Sequence, residues 1–184
     1  MVYKLPPRLI YRWFIRDKYD IEVAFIEGYA TKLIAASNNS YSQKIAWVHT
    51  DMQNNTYADK CYRNITEQIL TYKKYKKIIC VSQSVKNAFE KKIKITGNIY
   101  VQYNPVDENK IFELSKQHVS LSKKKSILLG TVGRLEHQKG YPRLLQCVKQ
   151  VSIENPDFEI WIIGDGSQRK ELEEYIKINK LENI

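Results

Sequence analysis

The chain has 184 residues, of which 43% are hydrophobic and 27% charged, and this composition is typical of a globular protein with a sizeable core. No apolar run approaches the ~20 residues that a membrane-spanning helix needs, so the sequence predicts no transmembrane segment. The net charge of +10 lies in the first part of the chain. Residues 1–126 hold 22 Lys and Arg against 11 Asp and Glu, whereas residues 127–184 hold 8 against 9.

This charge asymmetry has two interpretations. It favours either a surface that faces anionic material, such as nucleic acid or the cytoplasmic leaflet of a membrane, or a lysine-rich solvated face without a partner. The three cysteines, Cys61, Cys80 and Cys147, are odd in number and lack metal-ligand spacing. They predict buried, reduced thiols in a cytosolic protein.

Hydrophobic periodicity predicts helices and strands in alternation. An amphipathic helix is predicted over 7–19, strands over 21–28, 44–51, 77–82 and 98–105, and helices between them over 29–37, 57–75 and 84–92. The polar segment 106–125 is weakly periodic and is interpreted as a crossing between two units. Beyond it, the pattern predicts strands over 126–134 and 158–166 and helices over 141–151 and 167–181. Such alternation implies right-handed βαβ units and parallel sheets.

The most informative loop is "GTVGRLEHQKG" (130–140), which joins an apolar strand to a helix. Gly133, Arg134, Lys139 and Gly140 lie where ligands bind in open α/β sheets, outside the carboxyl ends of the strands. A guanidinium, an ammonium and a helix N-terminus together suit a diphosphate. The alternative is a solvent-exposed loop with Arg134 bonded to a carbonyl.

A second turn, "GDG" (164–166), ends the next apolar strand. Gly164 and Gly166 allow either close approach of the backbone to a ligand or a simple tight turn around Asp165.

Polar residues also follow the strands of the first half. His49 could hydrogen-bond a sugar hydroxyl, handle a proton or serve the structure alone. Asp51 could be a carboxylate of an acceptor site or a helix N-cap, and Glu27, before Gly28, has the same ambiguity. His118 and His137 are expected to be exposed. The sequence has no metal-ligand cluster, P-loop, nucleophile elbow or full dinucleotide fingerprint.

In their order and spacing, these segments resemble the family-four retaining glycosyltransferases of the GT-B fold, of the type that assembles bacterial polysaccharides. The resemblance is carried by "YDIEVAFIEGYATKLIAAS" with "KIAWVHTD", "KIICVSQSVKNAFEKK" with "NIYVQYNPVD", and "GTVGRLEHQKG" with "FEIWIIGDGSQRKELEEYI". It implies an α/β fold with two incomplete Rossmann-like parallel-sheet domains. Residues 1–110 would be the later part of an N-terminal acceptor-side domain, 111–125 a linker, and 126–184 the first part of a donor-binding domain.

The resemblance also implies a function. A hexosyl group would pass from a UDP- or GDP-sugar to a saccharide or lipid-linked acceptor with retention, without a metal or other cofactor, in surface or capsular polysaccharide synthesis. Arg134, Lys139 and His49 would be catalytic. Gly133, Gly140, Gly164, Asp165 and Gly166 would join the two cations at the donor, and Glu27, Gly28 and Asp51 would join His49 on the acceptor side. The enzyme would be cytoplasmic, with peripheral contact to the anionic inner leaflet and no nucleic-acid partner.

Two parts of the family pattern have no counterpart. The family's first strands would precede Met1, and its paired-glutamate motif would lie beyond Ile184, so the chain is expected to be a central fragment that a complementary C-terminal half would complete. Two other function classes fit the residues. One is a non-enzymatic basic α/β module that binds nucleic acid or another anionic partner, and the other is a nucleotide-sugar epimerase of the same fold.

Overall fold

The computed structural model describes residues 6–118 and 125–184. Contacts divide the chain into two compact units, Met1–Glu108 and Asn109–Ile184. Each unit has its own parallel sheet. Within the described residues, no helix is long and apolar enough to cross a bilayer.

The first unit contains a four-stranded parallel sheet in the order β1-β2-β3-β4. Its elements in chain order are α1 (Pro7–Phe14), β1 (Ile21–Ala24), α2 (Tyr29–Ile34), β2 (Gln43–Val48), a 3₁₀ turn (Tyr57–Cys61), α3 (Ile65–Tyr72), β3 (Lys77–Cys80), α4 (Gln83–Ile93) and β4 (Ile99–Val101).

The second unit contains a two-stranded parallel sheet, with Ile127 beside Phe158 and Val132 beside Ile163. Its elements are β5 (Ile127–Val132), a 3₁₀ turn (His137–Lys139), α6 (Tyr141–Glu154), β6 (Phe158–Ile163) and α7 (Arg169–Ile178). Helix α5 (Glu108–Ser115) begins at the boundary between the units. It lies in the polar segment 106–125, for which the weak periodicity predicted no helix.

The single helix predicted over 57–75 is wrong, because the chain breaks between Cys61 and Ile65. The Asn64 side chain accepts a hydrogen bond from the backbone N–H of Glu67 (2.9 Å), and the Glu67 carboxylate accepts one from the N–H of Arg63 (2.6 Å). This reciprocal arrangement is a capping box, which satisfies the first N–H groups of α3 and fixes its start. The Ser82 side chain caps α4 in the predicted way, through the N–H of Val85.

The core of the first unit lies between one face of the sheet and a single layer of helices. Helix α2 packs on α3, and α3 packs on α4. Ala46, Val48, Ile78 and Cys80 point into this layer and are fully buried. A four-strand sheet in sequential order places its crossover helices on the same face, because each parallel crossover has the same hand.

The opposite face of this sheet is apolar but open to solvent. Ile21, Val23 and Phe25 of the β1 segment are 43–56% exposed, as is Tyr100 of β4 at 50%. Alternation along each strand sends every second side chain to this face. Strands of a parallel sheet are normally apolar on both faces, and these strands follow that rule.

The cysteines occupy three different environments. Cys80 is buried in the core, and burial raises the pKa of its thiol to about 12. Cys61 is half-buried, whereas Cys147 lies on the exposed side of α6. The prediction of a buried thiol is therefore wrong for Cys147, because the apolar face of α6 is formed by Tyr141, Leu145 and Val148. His118 and His137 are exposed, as predicted.

A buried carboxylate ties α1 to the sheet. Glu22 of β1 accepts hydrogen bonds from the hydroxyls of Tyr11, Ser37 (3.0 Å) and Ser42, and Lys44 lies 3.6 Å away. Burial by itself would raise the pKa of Glu22, but these donors outweigh it and hold the pKa below its ordinary value. The ionised form therefore stabilises the folded state.

We expect Glu22→Gln to lower the free energy of unfolding by about 1–3 kcal/mol at pH 7, since the amide loses charge-assisted bonds in a buried position. Because the folded-state pKa is depressed, the wild-type advantage is present above the unfolded pKa and shrinks as the pH falls below about 4. Urea denaturation at several pH values measures both effects. The matched control is Glu90→Gln, whose carboxylate forms only a surface pair with Lys86 at 3.8 Å. An equal loss in both variants would contradict the assignment.

Candidate active site

The loop after β5 presents two cations on a fixed backbone. Leu135 is buried at 6% exposure and packs with Tyr141, Leu145 and Leu172. Arg134 precedes this anchor, and Lys139 ends the 3₁₀ turn that follows it. Both side chains are exposed, and neither forms a hydrogen bond or an ion pair with any residue in the ranges 6–118 and 125–184. Their charges are therefore available to a ligand.

Helix α6 begins directly after Lys139. Gly140 has a φ of +73°, a left-handed conformation that a residue without Cβ adopts at little cost, and it is the N-cap of α6. No side chain caps this helix, and Pro142 occupies its first turn. The first turn of α6 therefore begins beside Lys139 with its amide dipoles uncapped.

The "GDG" turn after β6 packs against the β5 loop through backbone atoms. The N–H of Leu135 donates to the carbonyl of Asp165 (2.9 Å), and the N–H of Gln168 donates back to the carbonyl of Leu135 (2.9 Å). A Cβ at Gly164 would lie 1.9 Å from the carbonyl oxygen of Gly133, and one at Gly166 would lie 2.5 Å from that of Leu135. Both glycines are thus required for the contact between the two loops.

Side chains add two further links at these loops. Glu136 accepts hydrogen bonds from the N–H (3.1 Å) and hydroxyl (2.9 Å) of Ser167, and these bonds lower the pKa of its carboxyl. Asp165 accepts from the N–H of Gly166 (2.8 Å) and lies 3.9 Å from Arg169. Its carboxylate is thus engaged within its own turn.

In the first unit, the structure brings Glu27 and His49 together. Glu27 is 8% exposed, and its carboxylate accepts hydrogen bonds from the backbone N–H groups of His49 (3.2 Å) and Thr50 (2.7 Å) and from the Thr50 hydroxyl. The Nδ1 atom of His49 lies 3.8 Å from the same carboxylate. Glu27 is therefore directed at the strand-end loop that carries His49 rather than at solvent.

Aromatic rings surround the imidazole on its other sides. The ring centroid of Phe25 lies 4.9 Å from that of His49 in an edge-on arrangement, and Trp47 lies 6.5 Å away and nearly parallel. Phe25 and Trp47 also contact each other at 5.2 Å. The imidazole is confined by these rings and by Glu27, and its side chain is 24% exposed.

The other two acceptor-side residues have visible structural roles. Gly28 has a φ of +92°, begins α2, and has Cys61 Sγ at 3.2 Å from the position that a Cβ would occupy. Asp51 accepts hydrogen bonds from the side chain (2.7 Å) and N–H of Asn54 and from the N–H of Gln53, which lower the pKa of its carboxyl. It closes a turn, so the alternative of a helix N-cap at Asp51 is wrong.

Sequence reasoning missed Thr50, Glu136 and Ser167. Thr50 is adjacent to His49, and only the buried Glu27 reveals its role. Glu136 and Ser167 are 31 residues apart, and their contact depends on the pairing of β5 with β6. Periodicity reports on one element at a time, so it carries no signal for such contacts.

Residues 113–184 match the family described as glycosyl transferases group 1. These residues form a group 1 glycosyltransferase segment. The wider chain is similar to an uncharacterized glycosyltransferase of Methanocaldococcus jannaschii, with 30% identity over 165 residues, which are 83% of this chain and 39% of that relative. A 2-deoxystreptamine glucosyltransferase of Streptomyces kanamyceticus is 33% identical over 61 residues, 33% of this chain and 16% of that relative.

The fold is also similar to that of a solved glycosyltransferase-like structure. The structure of S. aureus TarM in complex with fondaparinux, alpha-GlcNAc-glycerol and UDP gives a TM-score of 0.61 at 17% identity, covering 96% of this chain and 34% of TarM. The predicted α/β fold class with parallel sheets is confirmed. The chain spans about two-fifths of the length of the archaeal glycosyltransferase and a third of that of TarM.

The backbone contact between the two loops of the glycosyltransferase segment makes a testable prediction. We expect Gly164→Ala to lower the free energy of unfolding by about 2 kcal/mol or more, because the Cβ would overlap the Gly133 carbonyl at a φ of +156°. Urea denaturation measures the change.

The matched control is Gly130→Ala in β5, where a Cβ meets no atom within 4 Å and the loss of chain entropy on folding falls. If both substitutions leave the denaturation midpoint unchanged, the two loops are not in backbone contact.

Proposed function

We propose that this chain is part of a family-four retaining glycosyltransferase that moves a hexosyl group from a nucleotide-sugar to a saccharide or lipid-linked acceptor in the synthesis of surface polysaccharide. The reaction breaks the bond between the anomeric carbon and the donor diphosphate. The acceptor oxygen bonds to that carbon on the same face, and its proton passes to the departing phosphate. The reaction needs no cofactor, and residues outside this chain complete the donor pocket.

The observation that carries this proposal is the pair of unpartnered, exposed cations, Arg134 and Lys139, at the uncapped start of α6. Negative charge accumulates on the diphosphate as the sugar leaves. A guanidinium can bind two phosphate oxygens at once, and an ammonium adds a point charge. Cations that are already in place stabilise the transition state more than the ground state, and this difference is what accelerates a reaction.

The rigidity of the two loops supports the same role. Leu135 anchors the β5 loop in the core, and the backbone of the "GDG" turn fixes it from the other side. A fixed loop avoids the reorganisation that a flexible one would need at the moment of reaction. Gly133, Gly140, Gly164, Asp165 and Gly166 thus shape the donor site, while Arg134 and Lys139 bind the phosphates.

His49 serves the other side of the reaction in this proposal. Its imidazole is partly exposed at the carboxyl end of β2, where ligands of open α/β sheets bind. From there it can hydrogen-bond a hydroxyl of the transferred sugar or of the acceptor. The donor is a UDP- or GDP-sugar; the UDP in the TarM complex supports the uridine form.

We also propose that the first unit makes peripheral contact with an anionic inner leaflet in the cytoplasm. Helix α1 exposes Trp13 (55%) and Phe14 (78%) beside the exposed Arg12 and Arg16. Aromatic rings next to cations suit the headgroup region, and a nearby membrane would bring a lipid-linked acceptor within reach.

The donor assignment predicts that Arg134→Ala and Lys139→Ala each weaken binding of UDP by about 10-fold, because each removes one charge-assisted contact. Turnover should fall further, by about 10²–10³-fold, since that contact strengthens in the transition state. Calorimetry and a donor-hydrolysis or transfer assay on the intact protein measure the two effects.

Lys177→Ala is the control, because this lysine lies in the last turn of α7, away from the strand ends. Unchanged UDP affinity and turnover in both loop variants would rule out the diphosphate site.

The membrane assignment predicts that the protein sediments with vesicles containing phosphatidylglycerol and not with phosphatidylcholine vesicles. Replacing Arg12 and Arg16 together by glutamine should lower partitioning about 30-fold, since each contributes about 1 kcal/mol. The double replacement of Lys149 and Lys177 by glutamine removes the same charge from the second unit and should have a much smaller effect. Equal loss in both pairs would leave only a general effect of net charge.

A further inference from the structure

The contact between Glu27 and His49 has a chemical consequence that goes beyond the sequence-based expectation of an acceptor-site carboxylate. Glu27 is 8% exposed, so the carboxylate itself is not available as a contact for a substrate. Three donors hold it: the N–H groups of His49 and Thr50 and the hydroxyl of Thr50. No Lys or Arg within the described ranges forms an ion pair with it. The nearest side chain that can carry positive charge is His49.

The imidazole of His49 faces this carboxylate with one particular nitrogen. Nδ1 is buried, lies 3.8 Å from the carboxylate and has no hydrogen-bond partner among the described residues. A neutral imidazole carries one proton, on either Nδ1 or Nε2. A lone pair on Nδ1 would face an acceptor-only group at close range, which is repulsive, whereas an Nδ1–H would face it favourably.

We propose that Glu27 is a positioning residue that holds the His49 imidazole in the Nδ1–H form and so presents an unprotonated Nε2. This inference rests on the proposed function of His49. The Glu27 carboxylate is fixed by the backbone of the same loop, so it orients the ring and selects its tautomer together. Phe25 and Trp47 prevent the ring from turning away. The free Nε2 lone pair would accept a hydrogen bond from a sugar hydroxyl, and substrate recognition would depend on that acceptor.

The two interpretations of Glu27 differ in what they predict. A residue that merely stabilises the loop would affect folding alone. A residue that selects the tautomer would also change which nitrogen of His49 carries the proton. This second property can be read from the nitrogen resonances of the imidazole without any substrate.

The test is nitrogen-15 NMR of the histidine side chains in the intact protein, at a pH where imidazole is neutral. The chain has three histidines, and His49→Ala assigns the His49 signals by their loss. We expect the wild type to carry its proton on Nδ1. In Glu27→Gln, the amide can turn its NH₂ group toward Nδ1, and we expect the proton to move to Nε2. The control Glu22→Gln removes another buried carboxylate of the same unit, one without contact to His49, and should leave the tautomer unchanged.

Kinetics form the second arm. We expect Glu27→Gln to lower turnover about 10-fold or more while the donor Kd changes by no more than about twofold, and His49→Ala to have the same pattern with a larger loss. A proton on Nε2 in the wild type, or a tautomer that does not respond to Glu27→Gln, would overturn the inference even if Glu27→Gln folds poorly, because the wild-type spectrum alone decides the first point. A tautomer that responds in a protein without transferase activity would support the role of Glu27 and reject the proposed function.

Discussion

The second unit depends on a contact between two stretches of backbone. The turn after β6 lies directly on the loop after β5, with the position of a Cβ on Gly164 only 1.9 Å from the Gly133 carbonyl. Hydrogen bonds that run in both directions through Leu135 join the same two loops. Parallel pairing of β5 and β6 makes this contact possible, since it brings the carboxyl ends of both strands to one edge of the sheet. Everything proposed for Arg134 and Lys139 requires this rigid support.

The first unit achieves a comparable effect with a buried charge instead of glycine. Glu27 leaves the sheet after β1 and accepts the N–H groups that follow β2, so neighbouring strand ends are fixed to each other. Isolated buried carboxylates are costly, and this one is compensated by three donors and by the nearby imidazole. Glu22, at the opposite end of the same strand segment, is compensated in a similar way by hydroxyl groups and Lys44. Two buried carboxylates thus organise the two ends of this sheet.

The helices of the first unit form one layer, and this leaves an apolar sheet face in contact with solvent. Tyr72 and Phe89 fill the covered side, with their rings edge to face at 4.9 Å. On the other side, Ile21, Val23 and Phe25 are roughly half exposed. His49 lies at the border of this open face beside Phe25 and Trp47. The environment of the imidazole is therefore apolar on one side and ionic on the other.

The sequence by itself determined the alternation of strands and helices, the parallel α/β class and the loops that carry Arg134, Lys139, Gly164 and His49. These properties are local: apolar periodicity, glycine positions and residues at strand ends are all read within one element and its neighbours. The chain break before α3 was also written locally, in the capping box of Asn64 and Glu67. A long amphipathic pattern concealed it.

Only the tertiary structure decided which polar residues face solvent and which face one another. Glu27 and Asp51 look alike in the sequence, each beside a strand end, yet one is buried under His49 and the other closes an exposed turn. The link between Glu136 and Ser167 and the exposure of Cys147 were equally undetermined. The physical reason is that burial and hydrogen-bond partners depend on how strands pair and how helices lie on them. Those contacts join residues 20–30 positions apart, where no periodic signal reaches.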